Sequence, residues 1–248
     1  MDGNELREVL EEFKSGEVEM EEAVRAIEGF SRVGDFAKLD GVREHRTGIP
    51  EAVLGEGKSP EQLRKIAADF LDTEGRVIVT RIGEDVRKEL EELSTRSEWY
   101  DEAGTLVLHT ESYESPSGEG ELAVVTAGTS DVAVAQESVA VAREMGCEVD
   151  TFYDVGVAGV HRLLGVADQL DGYDCVVVAA GREGALPTVV AGLVHAPVIG
   201  LPVSVGYGYG GGGEAALMGM LQSCSVISVV NVDAGFVAGA QAAQIARD

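Results

Sequence analysis

The C-terminal half of the chain alternates short apolar runs with segments of helical periodicity. Five runs rich in Val, Ile and Ala predict strands, and each is followed by a segment whose apolar positions recur at helical spacing. The predicted strands are 122–128, 147–155, 175–181, 197–202 and 225–232, and the predicted helices are 130–145, 159–169, 184–193, 214–222 and 235–247. Continuous apolar strands are typical of a sheet covered on both faces. The pattern therefore predicts an α/β fold with a doubly wound parallel sheet.

A smaller α/β domain is predicted to precede this sheet. A helix pair is expected over 2–29, with Asn4 as its N-cap. The further elements are a helix at 59–71, a strand at 76–82, a helix at 84–93 and a strand at 105–110. Ser59 followed by Pro60 is a well-formed helix start.

The segment 113–121 is rich in Gly, Ser, Pro and Glu, a composition typical of turns and linkers. We therefore expect two domains, 1–115 and 120–248, with a sheet of the flavodoxin or Rossmann type in the second. The first carries a block at 36–62 in which basic residues and glycines are concentrated.

The net charge of −25, from 44 acidic against 19 basic residues, limits the functions to consider. Nucleic acids and anionic membranes require a positive surface, so we expect neither as a partner. Such an excess also destabilises the compact state by self-repulsion unless salt screens it. The charge therefore predicts a protein adapted to a high-salt cytosol, as in a haloarchaeon; the alternative is an ordinary acidic enzyme.

The cysteines and the apolar runs bear on the compartment. The three cysteines are far apart and lack paired CxxC spacing, which fits reduced thiols better than disulfides or a zinc site. No apolar run approaches the ~20 residues that span a bilayer, and the N-terminus is acidic where a signal peptide is basic. We expect a folded cytoplasmic protein.

The predicted strand ends carry the candidate chemistry. In a parallel sheet the ligand site lies outside the carboxyl ends of the strands. Six of the eight residues in 206–213 are glycine, and a helix follows, an arrangement that lets backbone amides approach an anion. Arg182 and Glu183 follow a buried strand, and a lone thiol, Cys224, ends the segment. We interpret this region as an anionic-ligand site.

A second candidate lies in the N-terminal block. Acidic and basic side chains alternate closely there in Asp40, Arg43, Glu44, His45 and Arg46, and Lys58 stands just before the predicted helix start. Arg offers a bidentate fork and Lys a point charge, so the block is consistent with phosphate contacts. An internal salt-bridge cluster is an equally good interpretation of the same residues.

Long motifs resemble a known family. They are GTSDVAVAQES (128–138), DVGVAGVHRLL (154–164), AGREGALPTVVAGLVHAPVIGLP (180–202) and SVGYGYGGGGEAALMGMLQSCS (204–225). They resemble the aminoimidazole ribonucleotide (AIR) carboxylase family, called PurE-like. The block LDGVREHRTGIPEAVLGEGKSPEQ (39–62) makes the chain more similar to its LarB branch, which acts in nickel-pincer nucleotide cofactor biosynthesis. The resemblance covers roughly 36–240.

The resemblance implies a carboxylase and hydrolase. LarB proteins carboxylate the pyridinium ring of nicotinic acid adenine dinucleotide with CO2 or bicarbonate and hydrolyse its phosphoanhydride. The products are AMP and pyridinium-3,5-biscarboxylic acid mononucleotide. A plain phosphoribosylaminoimidazole carboxylase or mutase of purine (IMP) biosynthesis is the first alternative, and a non-catalytic nucleotide-binding regulator is the second.

The resemblance also implies roles for individual residues. The catalytic candidates are Cys224 as nucleophile, Glu183 as general acid or base, His161 and Asp131. The substrate-binding candidates are Arg46, Lys58, Asp40, Arg43, Ser130, Gly128, Gly181, Arg182, Gly206 and Gly208. Structural roles compete with these: Cys224 follows a helix end that raises a thiol pKa, Asp131 or Ser130 can cap a helix, and His161 can be a packed histidine.

Two local departures favour the LarB branch over a plain purine enzyme. The purine family has a Ser-x-Ser-Asp turn where this chain has Gly128 to Asp131, and its histidine lies in a different context from Val160-His161-Arg162. No cofactor is implied with certainty. The carboxylates are too many to select metal ligands by spacing, although a pyrophosphate substrate can bring Mg²⁺ with it.

The resemblance further implies a homo-oligomer, because PurE-like domains assemble as octamers. The C-terminal segment 235–247 is rich in Ala and Gly, which suits close helix packing between subunits or against the core of its own chain.

Overall fold

The computed structural model describes residues 3–41, 43–118 and 120–247. The chain divides into two compact units, Met1–Ser97 with Val107–Tyr113, and Glu98–Leu106 with Glu114–Asp248. Among the described residues, none of the helices has an apolar stretch of the length that a membrane span requires.

The N-terminal part of the chain contains five helices and six short strands among its described residues. The helices are α1 (Gly3–Ser15), α2 (Met20–Glu28), α3 (Arg43–Thr47), α4 (Pro60–Glu74) and α5 (Glu84–Glu91). The strands are β1 (Ser31–Val33), β2 (Ala37–Leu39), β3 (Ala52–Leu54), β4 (Arg76–Thr80), β5 (Arg96–Tyr100) and β6 (Thr105–His109). β1 and β2 form an antiparallel hairpin, and the other four strands form a sheet of order β3-β4-β6-β5.

Helix α4 begins where its sequence predicts. The Ser59 side chain accepts a hydrogen bond from the amide of Gln62 at 3.2 Å, and the Gln62 side chain accepts one from the amide of Ser59 at 2.9 Å. This reciprocal capping satisfies two amides that the helix leaves without partners. The prediction for Asn4 is wrong: α1 already begins at Gly3, so Asn4 lies inside the helix.

The C-terminal part contains the predicted parallel sheet. Its strands are β7 (Glu121–Thr126), β8 (Glu148–Phe152), β9 (Cys175–Ala180), β10 (Val198–Pro202) and β11 (Ser228–Val229). Its helices are α6 (Val132–Glu144), α7 (Val160–Leu164), α8 (Ala167–Leu170), α9 (Ala185–Val190), α10 (Glu214–Leu221) and α11 (Gly235–Ala246). The strand order is β11-β10-β9-β7-β8, and all its pairs are parallel.

Helices cover both faces of this sheet, as predicted. Ala123 and Val125 of β7 belong to a buried cluster that includes Leu163 of α7 and Met220 of α10. Because successive side chains of a strand point to opposite faces, the buried residue between them, Val124, faces the other layer. On that side α6 and α11 pack against each other. The α/β doubly wound fold is therefore confirmed.

Two predicted elements are shorter than expected. The helix predicted over 159–169 is broken into a 3-10 turn (Val157–Gly159), α7 and α8, with Gly165 between the two helices. The strand predicted over 225–232 pairs only at Ser228 and Val229. Val226 is 96% exposed, so its apolar character does not mark burial within this chain. The loops that result lie next in the sequence to two candidate site residues, His161 and Cys224.

Candidate active site

The carboxylate of Asp131 lies at the carboxyl ends of the parallel strands. Asp131 is 5% exposed and ends a 3-10 turn (Thr129–Asp131) between β7 and α6. Its Oδ2 accepts a hydrogen bond from the Gly128 amide at 2.8 Å, and its Oδ1 accepts one from the Gly181 amide at 3.1 Å. The side chain therefore joins the segments that follow β7 and β9, instead of capping α6.

The two contributions to the pKa of Asp131 oppose each other. Burial, the larger, raises the pKa above its ordinary value because it disfavours the charged form. The hydrogen bonds from the Gly128 and Gly181 amides lower it because they stabilise the carboxylate. The net effect is a raised pKa, so this acid is more easily protonated than an exposed aspartate.

Gly181 is the point at which three loops converge. A Cβ at this position would lie 3.3 Å from Oδ1 of Asp131 and 3.4 Å from the carbonyl oxygen of Val203. A Cβ at Gly206 would lie 3.2 Å from the amide nitrogen of Arg182. Side chains here would push the loops apart, so glycine keeps the ends of β7, β9 and β10 in contact.

Arg182 is held in an unusual backbone conformation beside the glycine-rich loop. Its φ is 38°, in the left-handed region that non-glycine residues seldom adopt. Its guanidinium carbon lies 4.2 Å from the centre of the Tyr207 ring, which places the cation on the ring face. Tyr207 is 79% exposed, and Gly208 follows it with a φ of 96°. The loop therefore contacts the β9 end through this stacked pair.

Asp154 and Arg162 form an ion pair at the end of β8 that the sequence interpretation missed. The Arg162 guanidinium donates a hydrogen bond to Asp154 Oδ2, and Asp154 has a φ of 58°. The amide of Asp154 donates in turn to Thr126 Oγ1 at the end of β7. The left-handed backbone cannot be inferred from the residue type, although Asp is among the residues that tolerate it. His161, the predicted catalytic histidine, is exposed on α7 next to Arg162.

Cys224 lies in an exposed loop that α9 holds in place. Thr188 of α9 donates its hydroxyl to the Ser223 hydroxyl at 2.9 Å, and the Ser225 hydroxyl donates to the Thr188 carbonyl at 3.0 Å. The residues on both sides of Cys224 are thus fixed to one helix residue. Thr188 was not among the predicted site residues, because nothing in its local pattern indicates a long-range contact.

Glu183 lies on the same side of the sheet as this loop. It belongs to the turn between β9 and α9, and a Cβ at Gly184 would lie 2.9 Å from the Cα of Ala216 on α10. A Cβ at Gly219 of α10 would lie 2.2 Å from the carbonyl oxygen of Glu183, so the Glu183 backbone contacts that helix closely. The turn that carries Glu183 therefore packs against α10, and the loop that carries Cys224 follows α10 and is bonded to α9. Both side chains are exposed and make no hydrogen bond within the described residues.

Ser130 and Gly128, the other two candidates at the end of β7, lie in the same turn region as Asp131. Ser130 is exposed in the 3-10 turn, and its Oγ would lie 3.9 Å from a Cβ at Gly128. The backbone of Gly128 is extended, and its amide donates a hydrogen bond to the Asp131 carboxylate.

Three charged residues of the N-terminal block form ion pairs, Arg46 with Asp40 inside the block and Glu44 with Arg76 outside it. Arg46 donates to both carboxylate oxygens of Asp40, at 2.6 Å and 3.3 Å, and these contacts raise the pKa of Arg46. The Asp40 amide donates to Glu51, whose pKa burial raises. Arg43 starts α3, with its amide bonded to the Asp40 carbonyl. The internal salt-bridge interpretation therefore describes Arg46.

Lys58 is exposed and folds back on its own loop. Its Nζ donates a hydrogen bond to the carbonyl oxygen of Leu54 at 2.7 Å, just before α4 begins. Within the ranges that the structure describes, no group of three or more His, Cys, Asp or Glu side chains could hold a metal ion.

Comparisons with known proteins match the two halves of the chain separately. The model of the AIR carboxylase family matches residues 121–248, and that of the LarB/PurE-like N-terminal domain matches residues 30–111. An uncharacterized protein of Methanocaldococcus jannaschii is 39% identical over 259 residues, covering 99% of this chain and 98% of that protein.

Two solved structures are also similar. Treponema denticola PurE has 18% sequence identity, a TM-score of 0.43, and a match that covers 50% of this chain and 78% of that one. A PurE2 variant from the same organism has 20% identity and a TM-score of 0.43, covering 53% of this chain and 80% of the other.

Proposed function

The chain belongs to the AIR carboxylase family and carries a LarB/PurE-like N-terminal domain, and on this premise we propose that it carboxylates nicotinic acid adenine dinucleotide and hydrolyses its phosphoanhydride. CO2 or bicarbonate is the second substrate. The products are AMP and pyridinium-3,5-biscarboxylic acid mononucleotide, the precursor of a nickel-pincer cofactor.

The observation that carries this proposal is the exposed Cys224 between two serines bonded to Thr188. A thiol in contact with solvent can reach a substrate, whereas Cys147 and Cys175 are buried. The side chain stands on a fixed loop beside the helix that follows Glu183. A nucleophile with an acid or base nearby is the arrangement that covalent catalysis requires.

In the proposed reaction the thiolate of Cys224 adds to a ring carbon of the pyridinium. The sulfur lone pair forms a C–S bond, the ring nitrogen becomes neutral, and the ring becomes an enamine with a nucleophilic carbon. That carbon attacks CO2 and forms a C–C bond. A base, for which we propose Glu183, removes the proton from the same carbon, and expulsion of the thiolate restores the aromatic ring. Water then cleaves the phosphoanhydride and releases AMP.

Asp131 supports this chemistry by holding the strand ends. Its two amide hydrogen bonds position the Gly181 turn, from which Arg182 and Glu183 project. Arg46 and Lys58 are proposed to contact the pyrophosphate. For Arg46 this requires exchange of the Asp40 carboxylate for a phosphate, which the 59% exposure of its side chain permits.

The proposal is tested by incubating the pure protein with nicotinic acid adenine dinucleotide and ¹⁴C-bicarbonate. We expect label in a pyridinium product and release of AMP. Cys224→Ala should abolish labelling, whereas Gln222→Ala, an exposed change two positions away, should not. Glu183→Gln should slow labelling, with Glu214→Gln on α10 as the matched control. Labelling that persists in Cys224→Ala would contradict the covalent mechanism.

The family match also supports a second candidate, a carboxylase of aminoimidazole ribonucleotide, because the AIR carboxylase model spans 121–248. The same assay separates the two. Turnover of aminoimidazole ribonucleotide that does not depend on Cys224, without turnover of the dinucleotide, would establish the purine reaction. Nucleotide binding without consumption of either substrate would indicate a regulator.

A further inference from the structure

The segment that enters the glycine-rich loop is bonded to the turn that precedes α11. The amide of Ser204, two residues after β10 ends, donates a hydrogen bond to Oδ1 of Asp233 at 2.8 Å. The amide of Asp233 donates in turn to the carbonyl oxygen of Pro202, the last residue of β10, at 2.9 Å. Val203, between these two contacts, is fully buried. The side chain and the backbone of one residue therefore fix the direction in which the chain leaves the sheet.

The loop ends against the same turn. Gly213 is buried and has a φ of 82°. A Cβ there would lie 2.5 Å from Cγ1 of Val232 and 3.4 Å from the Cα of Ser204, so only glycine leaves room for this approach. Both ends of the segment 204–213 thus meet at Val232 and Asp233, as in a compact surface loop whose ends are close together.

Between its two ends the loop is open to solvent. Tyr207 is 79% exposed, and Tyr209 is exposed as well. The Gly211 amide donates to the carbonyl oxygen of Gly208 at 3.2 Å, a bond within the loop itself. Tyr207 also stacks on the guanidinium of Arg182, and a cation–π contact at an exposed site is weak. The position of the loop therefore depends chiefly on its anchored ends.

A shift of the first end would reach the turn of the proposed base within two residues. Gly206 follows Ser204 by two positions, and a Cβ there would lie 3.2 Å from the amide nitrogen of Arg182. Arg182 immediately precedes Glu183. The bond from Ser204 to Asp233 thus sets how closely the loop approaches this turn.

We propose that Asp233 is a positioning residue for the carboxylation proposed above, on which this inference rests. Its carboxylate holds the base of the glycine-rich loop, so the amides of 206–213 are already arranged for the anionic dinucleotide when it binds. A loop that is arranged before binding loses less conformational entropy on binding. If the anchored state were only partly populated, the apparent affinity would fall in proportion to that population. Asp233 acts through the loop and is assigned no contact with the substrate.

The residue type at position 233 suits both the backbone and the hydrogen bond. Its φ of 55° lies in the left-handed region, which Asp and Asn tolerate better than other residues with a Cβ. Its side chain supplies the acceptor for the amide of Ser204. Asparagine offers both properties, glycine only the first and alanine neither. Substitution by these three residues therefore separates the hydrogen bond from the backbone conformation.

The anchor is tested by hydrogen–deuterium exchange of the full chain without substrate, read by mass spectrometry on peptides that span 200–213. We expect faster exchange of this segment in Asp233→Gly and Asp233→Ala, and exchange equal to that of the natural protein in Asp233→Asn. Peptides from β7 should be unchanged in all three. Asp154→Gly makes the same substitution at another left-handed aspartate, after β8, and should leave the exchange of 200–213 unchanged.

Steady-state kinetics with nicotinic acid adenine dinucleotide and bicarbonate tests the consequence for the reaction. KM for the dinucleotide should rise about tenfold in Asp233→Gly, the factor expected for loss of one hydrogen bond to a charged group. The value of kcat should change less, because bound substrate holds the loop. Asp233→Asn should retain the natural KM. A merely structural role would instead reduce the amount of active protein, and hence the apparent kcat, at an unchanged KM.

Four results would overturn the proposal: unchanged exchange of 200–213 in Asp233→Gly, an equal increase in Asp154→Gly, a loss in Asp233→Asn as large as in Asp233→Gly, or a fall in kcat at an unchanged KM. Absence of dinucleotide turnover by the natural protein would contradict the proposed function instead. The exchange measurement contains no substrate, so it would still decide whether Asp233 holds the loop.

Discussion

The Asp131 carboxylate accepts a hydrogen bond from the amide of Gly181, a residue fifty positions further along the chain. The contact joins two strand ends whose neighbours include Glu183 and the glycine-rich loop. A single buried acid thus sets the spacing of the candidate site, and its protonation state bears on both stability and activity.

Replacement of Asp131 by asparagine should lower stability and reveal the titration of this acid. The Asn amide can accept at one atom only, so one of the two backbone donors loses its partner, at a cost of about 1–3 kcal/mol. The folded pKa is raised, so the stability contribution of the aspartic acid is fully present below its ordinary pKa near 3.8 and is lost as pH rises through the raised value.

The measurement for Asp131 is the free energy of unfolding of both proteins in denaturant across this pH range. The advantage of the natural protein over Asp131→Asn should shrink as pH rises from about 4. Asp168→Asn, on exposed α8, is the control for loss of one charge. A difference that grows with pH would contradict a raised pKa.

Thr188→Val should loosen the Cys224 loop while the sheet stays intact. The substitution keeps the shape of the side chain but removes the hydrogen bond to Ser223, which costs about 1 kcal/mol. If the loop positions the thiol, kcat should fall by more than KM changes. Val189→Thr, the neighbouring change on α9, serves as the comparison. An unaltered kcat in Thr188→Val would show that the anchor has no part in the reaction.

Stability should increase with salt. A net charge of −25 places many carboxylates close together, and ions screen their repulsion with a Debye length of about 10 Å at 0.1 M and 3 Å at 1 M. We expect the thermal midpoint to rise steadily from 0.1 M to 2 M KCl, followed by circular dichroism. A midpoint independent of KCl would favour the ordinary acidic enzyme.

Exposed apolar side chains of the glycine-rich loop, of α10 and of the loop after α10 should mediate self-association. They include Tyr207, Tyr209, Met218, Leu221 and Val226. Contiguous exposed apolar surface is typical of an interface, and we expect these side chains to form such a surface. Val226→Glu should shift the protein towards smaller species in analytical ultracentrifugation, and Gln169→Glu on α8 should not. A monomeric natural protein would exclude the octamer that we propose from the family resemblance.

The sheet could be predicted from sequence because its strands are continuous apolar runs separated by short helices. The start of α4 could be predicted because Ser59 and Gln62 form a local capping pair. The contact of Asp131 with Gly181 could not be predicted, because it depends on β7 lying next to β9 and on β8 lying at the edge of the sheet. No local sequence pattern predicts this strand order.

Short elements and ion pairs could not be predicted from the sequence either. The hairpin β1–β2 has three residues in each strand, too few for alternation to be distinguished from a loop. For Arg46 the sequence left phosphate binding and an internal pair equally open, and its bidentate contact with Asp40 is seen only in the structure. Asp154, Arg182 and Asp233 adopt left-handed backbone that their residue types do not require.

The last strand, β11, contributes only two residues to the sheet, and the hydroxyl groups of Ser223 and Ser225 bond the stretch before it to α9. Folding of the domain therefore places little demand on the exposed side chains of this stretch, Gln222, Cys224 and Val226. Natural variation can alter the reactivity of this loop while the scaffold keeps its stability. A family that shares one scaffold could in this way diverge in chemistry through a few surface substitutions.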